Sequence, residues 1–129
     1  MGKKINVPKI LIAEDEEELR ELYTLRLEYE SFNVVFAADG EEALEKVEKE
    51  RPDLVLLDIM MPKKSGLEVL KELKNNPSTQ KTPVIMLTVL PQEKTKNEAL
   101  KLGASHYLVK SQIMPPEVVK LIKEVLSFR

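Results

Sequence analysis

"DLVLLDIMMP", residues 53–62, decides the fold. Leu54 to Leu57 form an unbroken apolar run, which Asp58 closes and Ile59, Met60, Met61 and Pro62 follow. A run with no polar face must be covered on both sides, as a strand inside a parallel sheet is. A carboxylate buried there without partners would be strongly disfavoured. Asp58 therefore marks the place where this strand surfaces, beside something that compensates its charge.

The same grammar repeats outward from this stretch. "KILIA" (9–13) is apolar on both faces, and from Glu16 the period changes, with Leu19, Leu22, Tyr23 and Leu27 on one helix face. "NVVFA" (33–37) is the next strand. Asp39–Gly40 reads as a turn, and "EEALEKVEKE" carries Ala43, Leu44 and Val47 on a helical stripe that Arg51–Pro52 stops. Beyond the "MMPKKSG" loop, "LEVLKELKNN" is a short helix ended by Pro77. "PVIMLT" (83–88) is a fourth strand, and the helix "QEKTKNEALKLG" has Pro91 near its start and Gly103 as its stop. "ASHYLVK" (104–110) is a fifth strand. "PPEVVKLIKEVLSF" closes the chain as an amphipathic helix, apolar at Val118, Val119, Leu121, Ile122, Val125 and Leu126. Five β-then-α units predict an α/β protein with a parallel sheet covered by helices on both faces. In such folds the site lies beyond the carboxyl ends of the strands.

Composition narrows the function. The 129 residues suit one domain with a single sizeable core. A 43% apolar and 33% charged chain is globular rather than disordered. A net charge of −2 argues against binding nucleic acid through phosphate contacts. The absence of cysteine excludes disulfides and thiolate metal sites. The start "MGKKIN" has too short an apolar continuation for a signal peptide or membrane helix, and it lacks the Ser or Thr that myristoylation needs. The expectation is a soluble, cytoplasmic protein.

Polar groups sit where the strands end. The first strand ends in Glu14–Asp15, the third in Asp58, the fourth in Thr88 and the fifth in Lys110. Taken singly, each has a plainer reading. Acids at 14–16 suit a helix N-terminus, and Asp58 suits a loop start or cap. Taken together they place three carboxylates, a hydroxyl and an ammonium in one cleft. Three carboxylates repel, so they call for a hard divalent cation, Mg²⁺ first. The lone His106 cannot build a zinc site. Lys110 and Thr88 add a point charge and a neutral hydrogen bond, the parts that stabilise a phosphoryl group in transfer. Asp58 is then the candidate nucleophile.

These residues, from "KILIAEDE" through "LLDIMMP", "VIMLTV" and "GASHYLVK" to the last helix, closely resemble the receiver domain of two-component response regulators. The resemblance implies a flavodoxin-like (βα)5 three-layer sandwich with strand order 2-1-3-4-5. It implies a single receiver domain over residues 1–129, with no output domain in this chain. Asp58 would accept a phosphoryl group from a sensor histidine kinase or phosphotransfer protein. Asp15 would bind Mg²⁺ directly, Glu14 directly or through water, and Met60 through its backbone carbonyl, with Asp58 completing the set. Thr88 and Lys110 would contact the phosphoryl oxygens. Tyr107 would be the switch aromatic that turns inward as Thr88 moves, and Gly66 matches a loop glycine near the site. The partner surface would cover about residues 91–128, in a monomer or a phosphorylation-dependent dimer. Such a domain is not an enzyme in the usual sense, since it catalyses only its own phosphorylation and dephosphorylation.

Three positions depart from the family pattern: Glu14 where aspartate is common, Val89 where a smaller residue follows the threonine, and Ser111 where proline is frequent. Val89 is expected to narrow access to the phosphoryl group. Met60 and Leu90 occupy positions that tune its lifetime, and both being apolar implies slow self-dephosphorylation. The competing reading is a pseudo-receiver that signals without phosphorylation. A flavin-binding protein of this fold is disfavoured by "EDEEE" after the first strand, which repels phosphate. A phosphatase with an aspartate nucleophile would place a second acid where Met60 stands, and no dinucleotide or Walker glycine pattern is present.

Overall fold

The apolar strand 54–57 is the middle of a five-stranded parallel sheet in the order β2-β1-β3-β4-β5. The structure, a computed structural model, describes residues 7–127; the start "MGKKIN" and the last two residues lie outside them. The strands are β1 (Lys9–Ala13), β2 (Asn33–Ala37), β3 (Leu54–Leu57), β4 (Val84–Thr88) and β5 (His106–Val109). The helices are α1 (Glu17–Tyr29), α2 (Gly40–Glu50), α3 (Gly66–Asn75), α4 (Glu93–Leu102) and α5 (Pro115–Ser127). The fold is the flavodoxin-like arrangement expected from the strand pattern.

Alternation along the strands builds two cores. Ile10, Ile12, Leu54, Leu56, Ile85 and Leu87 pack with residues of α1 and α5 on one face. Leu11, Ala13, Val55, Leu57, Val84 and Met86 pack with residues of α2, α3 and α4 on the other. Every residue of β3 and β4 is buried, which is why those segments carry no polar residue before their ends.

Three local expectations change. Leu22 is 48% exposed, because the inward line of α1 runs through Tyr23 and Leu27 and leaves Leu22 a step around the helix. Asp39–Gly40 is not a free turn. Asp39 caps α2 by accepting from the Glu42 amide, and Gly40 is the first helical residue, where a Cβ would lie 2.2 Å from the Lys64 carbonyl oxygen. The expected stop at Arg51–Pro52 holds, with Arg51 capping α2 in the left-handed region at φ 48°. The fifth strand stops at Val109, and Lys110 opens a 3-10 turn, Lys110–Gln112, that contains Ser111.

Candidate functional site

Backbone pairing carries the first and third strands one residue past their ends. The Glu14 amide donates to the Ala37 carbonyl at 3.0 Å, and the Asp58 amide donates to the Ala13 carbonyl at 3.0 Å. Both acids are thereby fixed side by side at the carboxyl edge of the sheet. Glu14 is 4% exposed and Asp58 5%. Asp15, exposed, joins them, and one carboxylate oxygen from each of the three lies within 4.8 Å of the others.

Two buried carboxylates at that separation repel by about 3 kcal/mol at an effective dielectric of about 20. Lys110 answers this charge. Its Nζ donates to Glu14 Oε1 at 2.7 Å and to Asp58 Oδ2 at 3.2 Å. The remaining oxygens are held by amides: Glu14 Oε2 accepts from the Glu16 amide at 3.0 Å, and Asp58 Oδ1 accepts from the Ile59 amide at 2.7 Å. Burial pushes the Glu14 carboxyl above its ordinary value; the Lys110 and Glu16 hydrogen bonds oppose this, and the Asp58 charge adds to it. Burial alone would lower Lys110, but the hydrogen bond to Glu14 and the Asp58 charge outweigh it and hold the ammonium above its ordinary value.

The loop after Asp58 folds back tightly. The Gly66 amide donates to the Ile59 carbonyl at 2.8 Å, and a Cβ on Gly66 would lie 2.0 Å from the Asp58 carbonyl oxygen. Only glycine lets α3 start this close to the acid. Met60 presents its amide to Asp58 Oδ1 at 3.4 Å and leaves its side chain 54% exposed.

Across the cleft, Thr88 is fully buried. Its Oγ1 accepts a long contact from the Leu90 amide, at 3.5 Å, and the Tyr107 hydroxyl donates to the Leu90 carbonyl at 2.7 Å. One residue, Leu90, thus contacts the hydroxyl at the end of β4 through its amide and the phenol of β5 through its carbonyl. Tyr107 points inward, 9% exposed, and packs in the core over α4. Burial raises its phenol, and the Asp58 charge raises it further. Val89 is 53% exposed, so its side chain turns largely to solvent. His106 is exposed, and no peptide bond is cis among the described residues.

Residues 10–123 match the family described as the response regulator receiver domain. The chain belongs to that family. It is 43% identical over 120 residues to the alkaline phosphatase synthesis transcriptional regulatory protein PhoP of Bacillus subtilis, covering 92% of this chain and 48% of that protein. It is 45% identical over 118 residues to the transcriptional regulatory protein CpxR of Escherichia coli, covering 92% of this chain and 49% of that protein. The chain thus spans about half the length of these curated relatives. Among solved structures, the CheY-like receiver of Methanospirillum hungatei superposes with a TM-score of 0.88 at 30% identity, covering 95% of each chain. The BeF3-activated receiver domain of Klebsiella pneumoniae RstA superposes at 0.85 and 32% identity, covering 92% of this chain and 97% of that one. Receivers of this family are signalling modules rather than enzymes in the usual sense, and they partner with histidine kinases. Among the described residues, no helix is long and apolar enough to cross a membrane.

In this receiver the strand-end residues Glu14, Asp15, Asp58, Thr88 and Lys110 all lie at the carboxyl edge of one sheet. Sequence reasoning overlooked Arg20. Its Nη1 donates to the Glu14 carbonyl at 3.0 Å while its guanidinium lies 4.9 Å from the Phe36 ring centroid. A helical arginine among glutamates carries no signal of such a contact. Tyr23, read only as core, also reaches the site, since it shares a small cavity with Glu14 and Asp58.

Proposed function

We propose that this receiver accepts a phosphoryl group on Asp58 in a Mg²⁺-dependent reaction and thereby switches a protein-docking surface. The observation that carries the reading is the buried pair Glu14–Asp58, clamped by Lys110 with Asp15 alongside. Glu14, Asp15 and Asp58, with the Met60 carbonyl, would hold Mg²⁺, which supplies positive charge against the carboxylates and the phosphoryl oxygens. The donor set fits: oxygen ligands only, with three carboxylate oxygens close together.

An Asp58 carboxylate oxygen attacks phosphorus of a phosphohistidine on a sensor kinase or phosphotransfer protein. The new O–P bond forms as the P–N bond breaks, and the electron pair leaves with the donor imidazole. Phosphorylation adds about −1.5 to −2 charges. Lys110 turns from its carboxylates to the phosphoryl oxygens, and Thr88 donates its hydroxyl to them. Because Thr88 and Tyr107 both contact the backbone of Leu90, one at its amide and the other at its carbonyl, movement of Thr88 acts on the Tyr107 anchor. The surface over about residues 91–128 then offers a target two different arrangements. Met60 and Leu90, both apolar, orient attacking water poorly, so the phosphoryl group decays slowly.

Incubation with acetyl phosphate and Mg²⁺, followed by intact mass measurement, tests this. The wild type should gain one phosphoryl group and Asp58→Asn none. No gain by a folded wild type would favour the pseudo-receiver, and a gain that survives in Asp58→Asn would move the acceptor elsewhere.

A further inference from the structure

The peptide that joins Glu14 to Asp15 links two of the three site acids, and the sheet holds only the residue before it. Pairing between β1 and β2 ends at the Glu14 amide, which donates to the Ala37 carbonyl. Among the described residues the Glu14 carbonyl has one donor, Arg20 Nη1 of α1, at 3.0 Å. The same guanidinium lies 4.9 Å from the centroid of the Phe36 ring, on the edge strand β2. Lys46 of α2 lies 4.8 Å from that centroid, and its ammonium donates to the Phe36 carbonyl. Arg20 is thus seated on an aromatic ring while its fork reaches the Glu14 carbonyl, a placement that restricts a long side chain.

The three acids differ in how they are held. The Glu14 and Asp58 carboxylates accept from Lys110 and from amides. Asp15 is exposed, and among the described residues its carboxylate has no hydrogen-bond or ion-pair partner. Yet one of its oxygens lies within 4.8 Å of an oxygen from each of the other two, where like charges push it away. Its aim is therefore set by the backbone. A peptide is planar, so turning the Glu14 carbonyl turns the Asp15 amide with it and swings the Asp15 side chain. Mg²⁺ tolerates misplaced ligands poorly. We propose that Arg20 is a positioning residue for the metal site: by holding the Glu14 carbonyl, it keeps the Asp15 carboxylate aimed at the cation. The proposal rests on the Mg²⁺ reading above. Two plainer roles predict otherwise. A guanidinium acting only through its charge repels Mg²⁺, so its loss would tighten binding. One that only fastens α1 to β2 would add stability and leave Mg²⁺ affinity alone.

The test compares the full chain with Arg20→Met, which keeps an unbranched stem and high helix propensity but no donor. Lys46→Met is the control, since it removes the other cation over Phe36 and touches no part of Glu14. Mg²⁺ affinity is measured by calorimetric titration. In chelator, the carbonyl carbon resonance of Glu14 and the amide nitrogen resonance of Asp15 report on their shared peptide, and urea unfolding reports on the fold. Arg20→Met should bind Mg²⁺ about fivefold more weakly, the size of one lost charged hydrogen bond, with both resonances displaced before any metal is added. Lys46→Met should stay within about twofold of the wild type, below the effect of one such bond. Should Arg20→Met fold poorly, Arg20→Gln, too short to keep the contact, carries the same expectation. Unchanged or tighter Mg²⁺ binding by a folded Arg20 variant overturns the role of Arg20 and leaves the Mg²⁺ reading intact. So does an equal fall in Lys46→Met, or a fall with both resonances unmoved. A wild type that binds no Mg²⁺ overturns the metal reading and this proposal with it.

Discussion

On the β1–β3 side of the cleft, Glu14 and Asp58 are buried charges whose oxygens are held by Lys110 and by nearby amides. On the β4–β5 side, Thr88 and Tyr107 are buried neutral groups held through the backbone of a single residue, Leu90. The first side is organised by electrostatics, and each group there depends on another being charged. The second is organised by packing, with one short hydrogen bond to orient a ring. The difference suits two tasks. The charged side must exchange one set of partners for another when a phosphoryl group arrives, and the neutral side must move as a unit and be read from outside.

Lys110→Met breaks the contrast most severely. It removes the cation and leaves two buried carboxylates facing each other. Breaking a buried ion pair costs about 3 kcal/mol or more. Lys110 is largely covered, its side chain 15% exposed, so little of that is relieved by solvent. Urea unfolding in a chelator should show a loss of about 3 kcal/mol, and Mg²⁺ should restore more stability to the variant than to the wild type. A variant as stable as the wild type in chelator would mean that this side is not held by charge.

Glu14→Gln sharpens the same side through pH. Burial holds the Glu14 carboxyl above its ordinary value, so the folded protein keeps that proton longer than the unfolded chain does. Between the two values the folded state binds more protons, and stability falls as pH rises through that window. The contribution is fully present below the unfolded value and lost above the folded one. Asp39, whose carboxyl is held low chiefly by the Glu42 amide, works with the opposite sign at lower pH and is common to both proteins. The difference in stability between Glu14→Gln and the wild type should therefore shift in favour of the variant from about pH 4.5 upward. A difference that does not change with pH would show that Glu14 titrates like a surface glutamate.

The charged side was the more legible of the two from sequence. A parallel sheet brings all its carboxyl ends to one edge, so Glu14, Asp58, Thr88 and Lys110 could be placed together from the strand pattern. Their pairing could not. Glu14 and Lys110 are 96 positions apart, and their contact depends on Lys110 opening a 3-10 turn rather than ending a strand. Gly40 followed an aspartate, which suits a turn and a helix cap alike; the close approach of the Lys64 carbonyl decides it. Leu22 shared the apolar periodicity of α1, yet a helix covered on one side leaves such a neighbour outside. Arg51 and Lys63 adopt positive φ without being glycine, for which the local sequence offers no cue. Tyr23 fell on the core stripe, a pattern that counts rings as apolar and is blind to the cavity it shares with Glu14 and Asp58.

Tyr107→Phe probes the neutral side and has the smallest expected effect. It deletes the hydroxyl that donates to the Leu90 carbonyl at 2.7 Å and keeps the ring that packs in the core. The loss is one neutral hydrogen bond, about 1 kcal/mol, against about 3 kcal/mol for Lys110→Met. The direction matters more than the size. If packing sets the position of the ring and the hydroxyl only orients it, the variant should lose little stability. Its ring should stay inward, which nuclear Overhauser contacts between ring protons and the Ala99 or Ala104 methyls would report, since all three belong to one core cluster. If those contacts vanish with the hydroxyl, the Leu90 carbonyl holds the ring, and the neutral side depends on a single partner as strictly as the charged side depends on Lys110.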